Sequence, residues 1–131
     1  MPPDPHEDPD DGLLPSCVFC QRIAAGDFDM HYKHLDVVTF EPLNPVTPGH
    51  RLFLPARHFE HPYHGAVADA MAAAALSCRK GDQYNLITSS GPDATQTIAH
   101  IHVHLVPRRA GDGLALPWTG QKPLTPAGDP R

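Results

Sequence analysis

The sequence predicts a single α+β domain, in which helices pack on one side of a mostly antiparallel sheet of short strands. Strand-like segments at 35–41, 50–55 and 84–89 are separated by turn residues, and no strand–helix–strand crossover repeats regularly. Residues 63–79 form an alanine-rich stretch that is typical of a helix. Residues 100–105 alternate histidine with branched aliphatic side chains, which is the period-two pattern of a strand.

Turn residues delimit these elements along the chain. Residues 17–25 predict a short helix that ends at Gly26, because glycine favours a helix stop. The stretch 42–49 is interrupted by prolines and predicts a loop between two strands. A lysine–glycine–aspartate turn ends the long helix, and a polar loop at 90–97 precedes the histidine strand.

The chain divides into an acidic tail, one domain and a second tail. Its 131 residues allow a single core, which we place at 16–119, between tails at 1–15 and 120–131 that we expect to be disordered or flexible. Of the 15 acidic residues, five lie in the first tail, and the remainder of the chain balances its 10 basic residues. Formal neutrality disfavours nucleic acid as a partner, since such binding needs a basic surface. The tail itself is compatible with a solvated segment or with a functional acidic arm.

The hydropathy pattern contains no run of about 18 apolar residues, so no membrane span is expected. The N-terminus shows no basic region followed by an apolar stretch, so no secretory signal is visible. We therefore predict a cytoplasmic protein.

The histidine strand carries the most specific chemical signal. Alternation places His100, His102 and His104 on one face, with neighbours roughly 6–7 Å apart, and Ile101 and Val103 on the other. A solvated polar face is the alternative, but three histidines at regular spacing favour a reactive row. Unprotonated imidazole is a good nucleophile near neutral pH, and its attack on phosphorus forms a phospho-histidine.

The three cysteines separate into a pair and a single residue. Cys17 and Cys20 form a C-x-x-C pair, for which a metal site, a redox dithiol and chance are the candidate explanations. A redox pair would be expected beside a βαβ unit, which the sequence does not show. Two thiolates supply half of a tetrahedral zinc shell, and histidines are the usual other half. Cys78 lies in the alanine-rich helix and is expected to be a small buried residue.

The histidine pattern resembles the signature of the histidine triad (HIT) superfamily of nucleotide hydrolases and transferases. Two further regions support the resemblance, which spans residues 17 to about 109. They are Cys17-Val18-Phe19-Cys20-Gln21-Arg22-Ile23, and Asn44-Pro45-Val46-Thr47-Pro48-Gly49-His50 followed by Leu54-Pro55-Ala56-Arg57-His58. The resemblance implies a sheet of about five strands, usually paired into a homodimer. The helix at 63–79 and the strand at 84–89 would then meet their counterparts in the second copy.

The resemblance also implies a role for each site residue. His102 matches the histidine that attacks the α-phosphorus of a nucleotide, and His104 matches a histidine that contacts phosphate oxygens. The other implied contacts are Gln96, Thr97 and Ser89 at the phosphates, and Val18, Phe19 and Leu43 at the base. For the apolar residues, ordinary core packing is an alternative explanation.

Three positions depart from the family pattern. Thr95 stands where glycine is usual, and glycine there lets the backbone approach phosphate closely. Ser89 replaces a longer asparagine or glutamine. Pro42 occupies the position at which many members carry the acid or amide that binds ribose hydroxyls, and Glu41 is adjacent to it. The triad chemistry is therefore better supported than any particular substrate.

The C-x-x-C pair resembles the zinc-binding variant of the superfamily. The matching ligands are Cys17, Cys20, His58 and His100. Four protein ligands close the coordination shell, so the zinc would be structural. His61 and His64, which follow His58 at every third residue, offer a competing set of ligands. His50 is expected to be a structural hydrogen-bonding residue.

These observations predict a nucleotidyl hydrolase or transferase that acts through a nucleotidyl-histidine intermediate. Its substrates would be purine nucleotides: adenosine or guanosine phosphoramidates, dinucleoside polyphosphates or adenylylated metabolites. A zinc-stabilised nucleotide-binding module with little catalysis is one alternative, which the departures at positions 42, 89 and 95 favour. Deadenylation of DNA ends is another, which the missing basic surface disfavours.

Overall fold

The computed structural model describes residues 12–60 and 65–117 of the chain. The helices in this part are α1 (Val18–Ala24) and α2 (Ala66–Ser77), and Pro92–Ala94 forms a short 3-10 turn. The strands are β1 (Met30–Tyr32), β2 (Val37–Phe40), β3 (Arg51–Pro55), β4 (Tyr84–Thr88) and β5 (Val103–Pro107).

The five strands form one sheet in the order β1-β2-β3-β5-β4, and each neighbouring pair is antiparallel. The predicted α+β class and five-stranded antiparallel sheet are therefore confirmed. In β5, His104 lies opposite Leu52 of β3 and opposite Ile87 of β4. The histidine-bearing strand is thus an interior strand, held by backbone hydrogen bonds on both sides.

One face of the sheet is covered by α2. The helix buries a stripe of alanines at positions i, i+4, i+7 and i+8, which are Ala66, Ala70, Ala73 and Ala74. The core on this face also contains fully buried strand residues, which are Val37, Phe53 and Val103. Small side chains on the helix let its backbone approach the sheet closely, so the larger strand side chains fill the layer between them.

The opposite face is covered by α1. Phe19 and Cys20 of this helix are buried, and the Phe19 ring contacts Phe40 edge-to-face with 5.5 Å between centroids. The prediction that both helices lie on one side of the sheet was therefore wrong. β2 is buried along its whole length. Its side chains project alternately from the two faces of the sheet, so other elements must pack against both faces.

Two strand predictions need correction. β1 was not predicted, because three residues are too few to show an alternation of apolar and polar side chains. The segment becomes a strand by pairing with β2. The histidine strand begins at Val103 and not at residue 100. Ahead of it, the Ile101 N–H leaves the ladder and donates to the Phe59 carbonyl at 2.8 Å.

The packed region also begins earlier than predicted. Leu13 and Leu14 pack against the core beside α1, and the His58 N–H donates to the Gly12 carbonyl at 2.6 Å. Residues 12–14, which we assigned to the N-terminal tail, therefore contact the folded domain. The remaining predicted tail residues, together with His61 and His64, lie outside the described residues. Within the described ranges, no helix has the length and apolar character needed to cross a membrane.

Candidate functional site

The N-terminus of α1 presents two thiols on one side. Cys17 is the N-cap residue, and its Sγ accepts a hydrogen bond from the Cys20 backbone N–H at 3.5 Å. Residues three apart are neighbours on the surface of a helix, so the two thiols lie close together. Both thiols are buried.

Two histidines complete a compact group with these thiols. One ligand atom from each of Cys17, Cys20, His58 and His100 lies within 4.8 Å of the others. Cys20 Sγ is 3.4 Å from Nδ1 of both histidines, and Cys17 Sγ is 3.7 Å from His100 Nδ1. Zinc bonds of about 2.3 Å to sulfur and 2.0–2.1 Å to nitrogen place tetrahedral ligands about 3.6 Å apart. The four side chains are therefore spaced to hold a tetrahedral metal ion.

Both histidine rings are oriented as metal ligands require. His100 Nε2 donates to the Pro55 carbonyl at 2.8 Å, and His58 Nε2 donates to a carboxylate oxygen of Glu60 at 3.3 Å. Each bond keeps the proton on Nε2, so the Nδ1 lone pair faces the thiols. Burial lowers the pKa of His100 to about 4, and the ring is therefore neutral at pH 7. A redox dithiol does not need two oriented imidazoles, so the arrangement favours a metal.

The second triad histidine presents an unprotonated nitrogen. His102 Nδ1 lies 2.8 Å from the His100 carbonyl oxygen, which only accepts, so Nδ1 carries the proton and Nε2 the lone pair. The ring contacts Phe19 edge-to-face with 5.2 Å between centroids. Burial lowers the pKa of His102 below its ordinary value, which keeps the ring neutral at pH 7. His102 is therefore in the state that a nucleophile requires.

The third triad histidine is held in the opposite tautomer. The Val46 backbone N–H donates to His50 Nδ1 at 3.1 Å, so the proton of His50 is on Nε2, 2.9 Å from His104 Nδ1. His104 then accepts at Nδ1 and carries its own proton on Nε2. Burial, His102 and His50 together lower the pKa of His104 to about 4. The prediction for His50 is confirmed, because this residue fixes His104 as a neutral hydrogen-bond donor.

A cavity of about 780 Å³ opens beside these rings, between α1, the loop after β2 and the loop before β5. His102 and His104 line this cavity. Most of the predicted nucleotide contacts line it too, namely Val18, Phe19, Leu43, Ser89 and Thr97. Val18 and Leu43 are 51% and 91% exposed. Apolar groups left open at the edge of a cavity are suited to an apolar or aromatic part of a ligand.

Gln96 is placed differently from the other predicted contacts. Its Oε1 accepts from the Gly91 N–H at 2.8 Å, and its Nε2 donates to the Ile98 carbonyl at 3.0 Å. The side chain therefore holds the loop before β5 in shape and is not among the residues that line the cavity. Pro42, which replaces the family's ribose-binding acid or amide, lines the cavity, whereas the adjacent Glu41, the candidate substitute, does not.

Sequence reasoning missed two charged residues of the cavity, Arg22 and Asp27. A charged residue on a short helix or just after it is usually solvated. Arg22 lies in the C-x-x-C segment, but only the cysteines and apolar residues of that segment were given a role. A usable signal was the four-residue spacing between Val18 and Arg22, which places both on one side of α1.

Thr95 adopts a left-handed backbone conformation, with φ of 66°. This region costs a residue with a Cβ atom roughly 1–2 kcal/mol, and a β-branched side chain is unusual there. We expect Thr95→Gly to raise the free energy of unfolding by about 0.5–1 kcal/mol, since the flexibility of glycine in the unfolded chain offsets part of the gain. Denaturant unfolding measures the change. Thr97→Gly, in the same loop but without a positive φ, should instead destabilise, and a gain in both variants would contradict the explanation.

Comparison with known proteins places the chain in a family. The family model described as the HIT domain matches residues 27–111. The chain belongs to the HIT family. A histidine triad family protein from Mycobacterium smegmatis, solved with zinc bound, is 32% identical, with a TM-score of 0.64 over 76% of this chain and 80% of that chain. An uncharacterized HIT-like protein of Saccharolobus solfataricus is 30% identical over 73% of this chain and 76% of its own length. The adenosine 5'-monophosphoramidase of Saccharomyces cerevisiae is 29% identical over 82% of this chain and 72% of its own length.

The HIT assignment agrees with the geometry. The predicted resemblance and fold are confirmed, and the Cys-x-x-Cys pair forms a possible metal site together with His58 and His100. The Mycobacterium smegmatis neighbour, which has the same fold, was solved with zinc bound.

Proposed function

We propose that this HIT-family protein is a nucleotidyl hydrolase or transferase that works through a nucleotidyl-His102 intermediate. The main support is that His102 and His104, which line one cavity, are held in opposite tautomers. His102 has its lone pair on Nε2, and His104, whose ring centroid is 5.1 Å away, has its proton on Nε2. A nucleophile beside a hydrogen-bond donor is the arrangement that displacement at phosphorus requires.

The reaction takes two displacements. His102 Nε2 first attacks the α-phosphorus, the bond from phosphorus to the leaving group breaks, and the leaving group takes a proton from solvent. The His104 Nε2–H and the hydroxyls of Ser89 and Thr97 donate to the phosphoryl oxygens as their charge grows. Water then attacks phosphorus, releases the nucleoside monophosphate and returns the lone pair to His102. A different acceptor in the second step makes the reaction a transfer.

Purine nucleoside phosphoramidates are the substrates that we favour. The cavity has room for a nucleotide, and Val18, Phe19 and Leu43 give it apolar surface for a base. The yeast relative is named as an adenosine 5'-monophosphoramidase, which supports an amine as the leaving group.

We also infer that Cys17, Cys20, His58 and His100 hold a structural zinc ion. A closed tetrahedral shell supplies a rigid cross-link and leaves no position for a substrate. Phe19 and Cys20 are adjacent on α1, so the cross-link anchors the helix whose Phe19 ring contacts His102. A C-x-x-C pair grouped with two histidines to hold a metal suits a reducing compartment such as the cytoplasm.

A panel of substrates tests the activity. The purified protein is incubated with adenosine and guanosine 5'-phosphoramidates and with diadenosine polyphosphates, and nucleoside monophosphate is measured by chromatography. We expect product from at least one phosphoramidate. Nucleotide binding without product across the panel would instead support a nucleotide-binding module with little catalysis. Two observations favour that candidate: Thr95 has a strained backbone, and the Gln96 side chain bonds within its own loop.

We further propose that two copies associate through β4 and α2. β4 is the last strand of the sheet, and Leu76 of α2 and Tyr84 of β4 are 72% and 36% exposed. Light scattering at micromolar concentration should give the dimer mass, and Leu76→Glu should shift it toward the monomer because a charge cannot be buried there unpaired. Met30→Glu, at the other edge of the sheet, should remain dimeric. A monomer mass for the unmodified protein would overturn the dimer.

A further inference from the structure

Arg22 and Asp27 form an anchored charge pair inside the cavity. Arg22 Nε donates to Asp27 Oδ2 at 3.0 Å, and Arg22 Nη1 donates to the Glu41 carbonyl at 3.2 Å. The guanidinium also lies over the Phe40 ring, 3.8 Å from its centroid. Three separate contacts therefore hold the arginine in one orientation.

Both members of the pair keep unused hydrogen-bonding capacity. Nη2 of Arg22 donates to no atom within residues 12–60 and 65–117, and Asp27 Oδ1 accepts no hydrogen bond from them. The Arg22 and Asp27 side chains are 27% and 66% exposed. An ion pair this exposed contributes little to the free energy of unfolding. Stability therefore does not account for the fixed arrangement of Arg22 and Asp27.

Arg22 is linked to His102 through two phenylalanine rings, and Arg22, Asp27 and His102 line the same cavity. A series of contacts leads from His102 to Phe19, from Phe19 to Phe40 and from Phe40 to Arg22. The base of a nucleotide is at the opposite end of the molecule from its phosphorus. A nucleotide with its phosphorus at His102 and its base against Phe19 therefore presents the edge of that base toward Arg22 and Asp27.

We propose that Arg22 and Asp27 read the edge of the base and select guanine over adenine. The Watson–Crick edge of guanine carries the O6 acceptor followed by the N1–H and the 2-amino donors. A guanidinium N–H matches O6, and a carboxylate matches the two adjacent donors in a forked pair. Adenine offers one donor group and one acceptor on that edge, so the carboxylate loses the forked contact. This inference rests on the proposed nucleotide site and adds its base specificity.

The binding of three natural nucleotides tests the proposal on the unmodified protein. Isothermal titration calorimetry is carried out with GMP, IMP and AMP; IMP keeps O6 and N1–H but lacks the 2-amino group. We expect GMP to bind roughly tenfold or more tightly than AMP, with IMP between them. Equal affinities, or a preference for AMP, would overturn the guanine assignment and leave the proposed nucleotide site standing. Failure of all three to bind would overturn the proposed nucleotide site and this inference with it.

Matched carboxylate variants test whether Asp27 is responsible for the preference for GMP over AMP. Asp27→Asn removes the forked acceptor and should reduce the GMP-to-AMP affinity ratio to below about threefold. Asp29→Asn is the matched control, because it removes the same charge two residues away. Asp29 pairs with Arg51 and is not among the residues that line the cavity, so this variant should keep the GMP-to-AMP affinity ratio. A purely structural role for the Arg22–Asp27 pair would weaken both nucleotides alike. An unchanged ratio in Asp27→Asn would therefore overturn the assignment.

Discussion

Removal of the proposed zinc ion should lower the melting temperature of this protein by roughly 10–20 °C, which corresponds to a loss of about 3 kcal/mol or more in a domain of this size. The ligands come from separate segments: Cys20 and His58 are 38 positions apart in the sequence, and Cys20 and His100 are 80 positions apart. The unfolded chain does not bring such distant side chains together, so the free energy of metal binding adds to the free energy of folding. Differential scanning calorimetry with and without a chelator measures the effect.

Variants separate the proposed metal site from the proposed catalytic site. Cys17→Ser and His100→Ala should lose the metal by elemental analysis, whereas His102→Ala should retain one zinc per chain because His102 is not among the four grouped ligands. Cys78→Ser, which removes a half-buried thiol at the end of α2, is the matched control and should also retain it. An equally stable metal-free protein, or equal metal loss in His100→Ala and His102→Ala, would contradict this assignment and return attention to His61 and His64.

His102→Asn should reduce turnover of the best phosphoramidate by at least about a thousandfold, which is a loss of about 4 kcal/mol of transition-state stabilisation. Asparagine keeps a polar side chain of similar reach but has no nitrogen lone pair for attack on phosphorus. Nucleoside monophosphate binding should persist, because the cavity and His104 remain. Steady-state kinetics and calorimetry on the same preparation measure the two quantities separately.

His34→Asn provides the control for this substitution. His34 is exposed in the turn between β1 and β2, away from the residues that line the cavity, and its replacement should leave turnover unchanged. Near-normal turnover in His102→Asn would show that another side chain is the nucleophile. Loss of both binding and turnover would indicate that His102 supports the cavity rather than the reaction.

The chemistry of the site was more predictable than its shape. Alternation alone placed the triad histidines on one face, and in the structure Phe19 contacts both His100 and His102 while His102 contacts His104. The four possible metal ligands were also named from sequence, through the resemblance to the zinc-type HIT proteins. Both predictions rest on the fact that reactive groups need particular residue types at particular spacings.

Features that depend on tertiary context were not predictable. β1 forms only by pairing with β2, and α1 covers its own face of the sheet because β2 is buried on both sides. The opposite tautomers of His102 and His104 depend on a single backbone carbonyl and on the backbone N–H of Val46. No residue pattern in the sequence encodes these partners, and the same is true of the contact between Arg22 and Asp27 across the end of α1.

Trapping the covalent intermediate is the most direct test of the proposed function. The protein is mixed with a purine nucleoside phosphoramidate, quenched in alkali, in which a phospho-histidine bond survives, digested and analysed by mass spectrometry. We expect the peptide that contains residues 100–104 to carry one nucleotidyl group on His102, and His102→Asn to carry none. Turnover with no labelled peptide, or a label on a different side chain, would contradict a nucleotidyl-His102 mechanism.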